Sequence, residues 1–196
     1  MKSICVYCGS SPGSNSAFAE AAKQTGRTLA QRGIRVIYGG GNVGLMGRLA
    51  DGALEAGGEV IGVIPHHLAD KELAHPGASQ MIRVATMHER KQTMADLSDA
   101  FIALPGGIGT LEELFETLTW LQLGLHNKPV GLLNVHHFWD RMLDFLDQMV
   151  VTRFLKPLHR DMLIVSSKLP DLLTHLQDFN APDAGKWLDT AHTDLR

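Results

Sequence analysis

Short, continuous, β-branched apolar runs alternate with helical runs along almost the whole chain, and that alternation admits few folds. The strand-like runs fall at 3–8, 35–38, 60–64, 81–85, 100–104, 130–133 and 163–166. Helical patterns occupy 16–32, 45–56, 88–97, 110–123, 138–154 and 169–179. A strand that is apolar on both sides of its pleat is buried on both faces. Such strands pair in parallel and are joined by crossover helices that cover the sheet. The expectation is therefore α/β, a three-layer Rossmann-like fold: a mainly parallel sheet of about seven strands with helices on both faces. The 196 residues, 44% hydrophobic, suit a single nucleotide-binding domain over 1–180. The stretch 181–196 mixes polar residues with Pro182 and Gly185 and reads as a mobile tail.

The bulk numbers exclude several partners. A net charge of −3 gives no basic excess for nucleic acid. The apolar run at 4–8 is too short for a signal peptide, and no stretch approaches a membrane span, which points to the cytoplasm. Two cysteines make no disulfide framework. Cys5 and Cys8 form a C-x-x-C, but Cys5 lies inside a strand pattern rather than at a helix start. Residues three apart in a strand point to opposite faces and sit about 10 Å apart, so buried thiols are the expected reading.

Three glycine-bearing loops follow strands: Gly9-Ser10-Ser11, Gly39-Gly40-Gly41-Asn42-Val43-Gly44 and Gly106-Gly107-Ile108-Gly109. In open parallel sheets all three converge beyond the carboxyl ends of the strands, where ligands bind. The third is the most informative. Residues 105–113 read Pro-Gly-Gly-Ile-Gly-Thr-Leu-Glu-Glu, between an apolar strand and a helix. Bare backbone and the unpaired N–H groups of a helix start make a phosphate cradle, with the Glu113 carboxylate one turn behind it. Glu113 also has a purely structural reading, as the far end of a capping box with Thr110 as N-cap. The Gly39–Gly44 loop fits G-x-G-x-x-G, but the acidic residue of a dinucleotide site is missing after the next strand, which ends Ile64-Pro65-His66-His67. A phosphate or ribose contact, or tight helix–sheet packing, stays open for it.

A second cluster, Met87-His88-Glu89-Arg90-Lys91, starts a helix after another strand. Arg90 offers a planar fork of donors for a phosphate or a pair of ribose hydroxyls, and Lys91 a point charge. A solvated helix start is the alternative. The adjacent pairs His66-His67 and His136-His137 point apart and have no third ligand at metal spacing.

Together, Pro105–Glu113 as P-G-G-x-G-T-x-x-E, Met87–Lys91 as M-H-x-R-K, Cys8-Gly9-Ser10-Ser11 and the glycines of 39–47 carry a family likeness. The chain resembles the Lonely Guy family of cytokinin-activating nucleoside-monophosphate phosphoribohydrolases, over residues 3 to about 180. The resemblance implies hydrolysis of the N-glycosidic bond of a purine 5′-monophosphate, with Glu113 and Arg90 as the catalytic pair. It implies binding roles for Gly9, Ser10, Gly40, Gly41, Gly44, Met87, Lys91, Pro105, Gly106, Gly107, Gly109 and Thr110. It calls for no metal and no cofactor, and family members are commonly dimers. A homodimer is also expected from the helical run 111–125, whose Leu114, Phe115, Leu118, Trp120, Leu121, Leu123 and Leu125 exceed one amphipathic stripe. The alternative is a non-catalytic nucleotide carrier resembling molybdenum-cofactor carrier proteins, which would use the same loops without Glu113.

Overall fold

A computed structural model describes residues 1–69 and 74–182, so the tail expected over 181–196 lies outside the described residues from 183 onward. The strands are β1 Ser3–Tyr7, β2 Arg35–Tyr38, β3 Val60–Pro65, β4 Gln80–Val84, β5 Ala100–Ala103, β6 Val130–Leu133 and β7 Leu163–Ser166. The helices are α1 Ser16–Gln31, α2 Gly44–Glu55, α3 His66–Ala69, α4 Met87–Asp96, α5 Ile108–Gln122, α6 Asp140–Val151, α7 Pro157–Asp161 and α8 Leu169–Asp178. All seven strands join one sheet in the order β4-β3-β2-β1-β5-β6-β7, and every pairing is parallel. The expected architecture is the one observed.

Side-chain alternation along the strands divides the interior into two cores. Ile4, Val6 and Cys8 join the core under α1, α2 and α8, whereas Cys5 and Tyr7 join the one under α4, α5 and α6. The two cysteines are therefore free, buried and on opposite faces of the sheet, as strand geometry demands. Fully buried side chains such as Leu29, Leu49, Phe101 and Leu114 each contribute about 1.5–3 kcal/mol by leaving water. Helices α1 and α2 touch backbone to backbone. A methyl at Gly26 would overlap the Leu49 carbonyl, and one at Gly52 the Lys23 carbonyl.

Two short helices, α3 and α7, escape the sequence pattern because four or five residues carry no usable periodicity. The run expected as a helix over 138–154 is α6 alone, preceded by a 3-10 turn Val135–His137 in which His136 and His137 take positive φ. Asn134 organises this turn: its Oδ1 accepts the Trp139 N–H at 2.9 Å, and its Nδ2 donates to Asp140 at 2.6 Å.

The strand order places the site. From β1 the chain winds outward through β2, β3 and β4, then returns to the other side of β1 with β5. A crevice opens where the winding reverses. The residues just past β1 and β5 are Cys8-Gly9-Ser10 and Pro105-Gly106-Gly107.

Candidate active site

A cleft of about 220 Å³ lies at this switch point, lined by Cys8, Gly9, Ser10, Met46, Arg90, Gly107, Ile108, Gly109, Thr110 and Glu113. A second pocket of about 230 Å³ shares Gly9, Ser10 and Gly107 with it and adds Phe18, Leu45 and Phe138. The structure thus brings Glu113 and Arg90 to one cavity with much of the glycine loop.

Helix α5 begins earlier than its sequence suggests. Gly107 is the N-cap, in extended backbone, and its carbonyl accepts the Leu111 N–H at 3.1 Å. Thr110 is the third helical residue, so the Thr110–Glu113 capping box does not form. The reason lies in the glycines, which let the helix start before the threonine. No side chain caps this helix start, which leaves its first N–H groups available to an anion. Methyls added at Gly107 or Gly109 would meet nothing within 4 Å, so packing does not require bareness there. Thr110, 4% exposed, is held under Gly106, where a methyl would overlap its hydroxyl.

The other loops lock onto this one. Gly9 N–H donates to the Pro105 carbonyl at 3.1 Å, and the Gly9 carbonyl accepts the Leu45 N–H at 3.0 Å. Gly44, at φ +62°, lies against the Ser10 backbone too closely for a side chain. Pro105 and Gly106 line the second pocket, while Gly44 lines neither and acts as a joint between loops.

Arg90 is buried at 6% exposure. Its Nε donates to the Val63 carbonyl at 3.1 Å, its Nη2 to the Gly39 carbonyl at 2.9 Å and its Nη1 to the Met87 sulfur at 3.8 Å. A methyl on Gly39 would overlap the guanidinium, so this glycine is a seat for Arg90. A methyl on Gly40 would crowd Ile64 and Met81, and Gly41 bridges to Ala74; neither lines the cleft. In the Gly39–Gly44 loop the space a dinucleotide would need beside Gly39 is filled by the protein's own arginine. His75 tightens the same loop. Its N–H donates to the Gly40 carbonyl at 3.0 Å, and its ring takes the Gly77 N–H on Nδ1, which directs Nε2 to Asp51 at 3.1 Å.

Met87 and Lys91 do not line the cleft. Lys91 is 8% exposed and donates to Glu112 and Glu116, the latter at 2.9 Å. Burial disfavours its charge, but the two carboxylates outweigh burial and hold its pKa above the ordinary lysine value. The charge of Glu113 is felt along β1: burial pushes the Cys8 thiol pKa up, and Glu113 pushes it further. For Cys5 burial again dominates, Glu113 adds to it and Arg90 opposes it. No group of three or more His, Cys, Asp or Glu residues is placed to hold a metal among the described residues.

Sequence reasoning met Gly39, Cys8 and Met46 only as members of motifs, with no role of their own, and did not single out His75. Gly39 carries a signal, being the first glycine after β2. The partnership of His75 with Asp51 spans 24 residues and leaves no local trace.

A family model described as a possible lysine decarboxylase matches residues 46–176. A cytokinin riboside 5′-monophosphate phosphoribohydrolase of Arabidopsis thaliana is 45% identical over 184 residues, spanning 94% of this chain and 81% of that protein. A probable enzyme of the same description from Oryza sativa subsp. japonica is 46% identical over 179 residues, 91% and 73% of the two chains. This chain belongs to the Lonely Guy family. Among solved structures, a molybdenum cofactor carrier protein from Chlamydomonas reinhardtii superposes with a TM-score of 0.69 at 21% identity, over 90% of this chain and 96% of that one, and shares the fold. A molybdenum cofactor binding protein from Rippkaea orientalis gives 0.65 at 26% identity, over 91% and 96%. For this Lonely Guy member the decarboxylase description finds no support in Lys91. A Schiff-base lysine works by losing its proton readily, and Lys91 is held protonated by two carboxylates.

Proposed function

We propose that this cleft hydrolyses the N-glycosidic bond of purine nucleoside 5′-monophosphates, adenosine or cytokinin riboside 5′-monophosphate, to free base and ribose 5-phosphate. The observation that carries the reading is that Glu113 and Arg90 line the same cavity as the uncapped start of α5. The N–H groups after Gly107 hold the 5′-phosphate, and this remote binding sets the sugar in place. As the bond to the base breaks, positive charge builds on the ribose, and the Glu113 carboxylate stabilises it. The same carboxylate orients a water and takes its proton as the oxygen bonds to the sugar carbon. The bonding electrons leave with the base, which takes a proton from solvent, and Glu113 afterwards releases to solvent the proton it took from the water. Arg90, fixed on two backbone carbonyls, orients the sugar and Glu113 and takes no part in proton transfer.

The likeness to the Rippkaea orientalis protein favours one competing reading, a carrier that binds its ligand unchanged. Incubating the protein with AMP and with isopentenyladenosine monophosphate, beside a Glu113→Gln control, separates the two. Free base and ribose 5-phosphate, absent in the control, are the expected products. Nucleotide recovered intact from wild type would turn the reading toward the carrier.

The protein acts as a homodimer in the cytoplasm in this reading. Supporting the dimer is an apolar groove of about 490 Å³ in which Phe115 and Leu118 of α5 face Met142, Phe145 and Met149 of α6. Phe145 is 60% exposed there, and Phe154, just past α6, 88%. A monomeric mass by light scattering would remove the dimer. No helix among the described residues is long and apolar enough to cross a membrane.

A further inference from the structure

We infer that Lys91 is a positioning residue that sets the spacing between the arginine-bearing and glutamate-bearing helices, and not a ligand of the substrate phosphate. This rests on the hydrolase reading above. Neighbours on a helix diverge by about 100°, so when one faces the cleft the next faces elsewhere. Arg90 and Lys91 are such neighbours on α4, and Glu112 and Glu113 on α5. Arg90 and Glu113 line the cleft, whereas Lys91 and Glu112 meet each other outside it. Glu116, one turn beyond Glu112, gives the ammonium a second carboxylate at 2.9 Å. The lysine side chain is 10% exposed, and the carboxylates are 50% and 25% exposed. Lys91 is thus a buried charge with two of its three N–H donors engaged by α5, on the side away from the cleft lining.

The two helices need such a link. Helix α4 is anchored through Arg90 to carbonyls after β2 and within β3, but the first turn of α5 has no side-chain cap. Lys91 ties the uncapped helix to the anchored one beside each catalytic group. Removing it leaves Glu112 and Glu116 as like charges one turn apart and lets Glu113 shift relative to Arg90. A misplacement of about 1 Å is enough to cost on the order of 100-fold in rate.

The test is Lys91→Met, with kcat and KM measured separately for AMP. A positioning role lowers kcat by tens of fold with KM nearly unchanged. A phosphate ligand does the reverse, raising KM about tenfold or more through the lost charge-assisted contact. The charge exchange Lys91→Glu with Glu116→Lys should recover kcat relative to Lys91→Glu alone, which a phosphate ligand cannot do. AMP affinity by calorimetry in a Glu113→Gln background, with and without Lys91→Met, separates the two layers of the argument. If wild type hydrolyses nothing, the hydrolase reading fails, and equal affinities still exclude Lys91 as a ligand. A tenfold loss of affinity on removing Lys91, or no recovery by the exchange in a folded protein, overturns the inference.

Discussion

Two tetrapeptides in this chain have the form Thr-x-x-Glu, and they do opposite things. Thr86–Glu89 closes the start of α4: the threonine hydroxyl accepts the Glu89 N–H at 3.1 Å, and the Glu89 carboxylate takes the Ala85 N–H at 2.8 Å. Thr110–Glu113 does not sit at a helix start. There the helix already starts at Gly107, the threonine is buried inside the first turn and the glutamate lines the cleft. The difference is set by what comes before. Ala85 follows the end of β4 and leaves Thr86 as the cap, whereas Gly107-Ile108-Gly109 carries the helix start upstream of Thr110. One helix meets its own need for hydrogen-bond partners; the other leaves that need to a ligand.

The largest effect should come from Glu113→Gln. If its carboxylate serves chemistry and not capping, kcat falls by about 10²–10⁴-fold while the melting temperature stays put. A drop in melting temperature with turnover retained would restore the capping role and erase the contrast. Next comes Gly39→Ala, which fills the seat of Arg90. We expect a stability loss of about 1–3 kcal/mol from overpacking, with a fall in kcat as the guanidinium moves; chemical denaturation and steady-state kinetics read the two. Thr86→Ala should cost about 1 kcal/mol, as lost caps do, with kcat nearly unchanged. Gly109→Ala sharpens the contrast from the open side. Its site is helical and empty, so denaturation should show a gain of about 0.4–1 kcal/mol, while KM for AMP rises because the methyl stands where the phosphate would sit. The smallest effect is on Cys8. A raised pKa means less thiolate at a given pH, so iodoacetamide at pH 8 should label the denatured protein and spare the native one. Glu113→Gln, which removes one of the two causes, should speed native labelling only slightly, since burial remains.

The sheet was legible because strands buried on both faces leave continuous apolar runs such as Ala100-Phe101-Ile102-Ala103, and the three loops follow from the topology. The location of Glu113 and Arg90 in one cleft also follows, since strand ends in a parallel sheet meet on one side. What stayed hidden depends on contacts between distant residues. Sequence gives both Arg90 and Lys91 a place at the substrate; only the packing of α5 against α4 puts one in the cleft and turns the other toward Glu112 and Glu116. The glycines of 39–44 look like room for a ligand, because nothing local reveals that an arginine 51 residues away fills the space at Gly39. The capping-box alternative at 110–113 does not form for a subtler reason, that two valid helix starts compete and glycine favours the earlier.

The sheet's two separate cores have a consequence for how such a scaffold can diversify. Arg90 and Glu113, the proposed catalytic pair, hang from α4 and α5 on one face, while Met46 on α2 and the joint at Gly9 and Leu45 belong to elements packed on the other. The strands between them act as a bulkhead. Substitutions at Met46 can recast one wall of the cleft from a helix that carries neither the carboxylate nor the guanidinium.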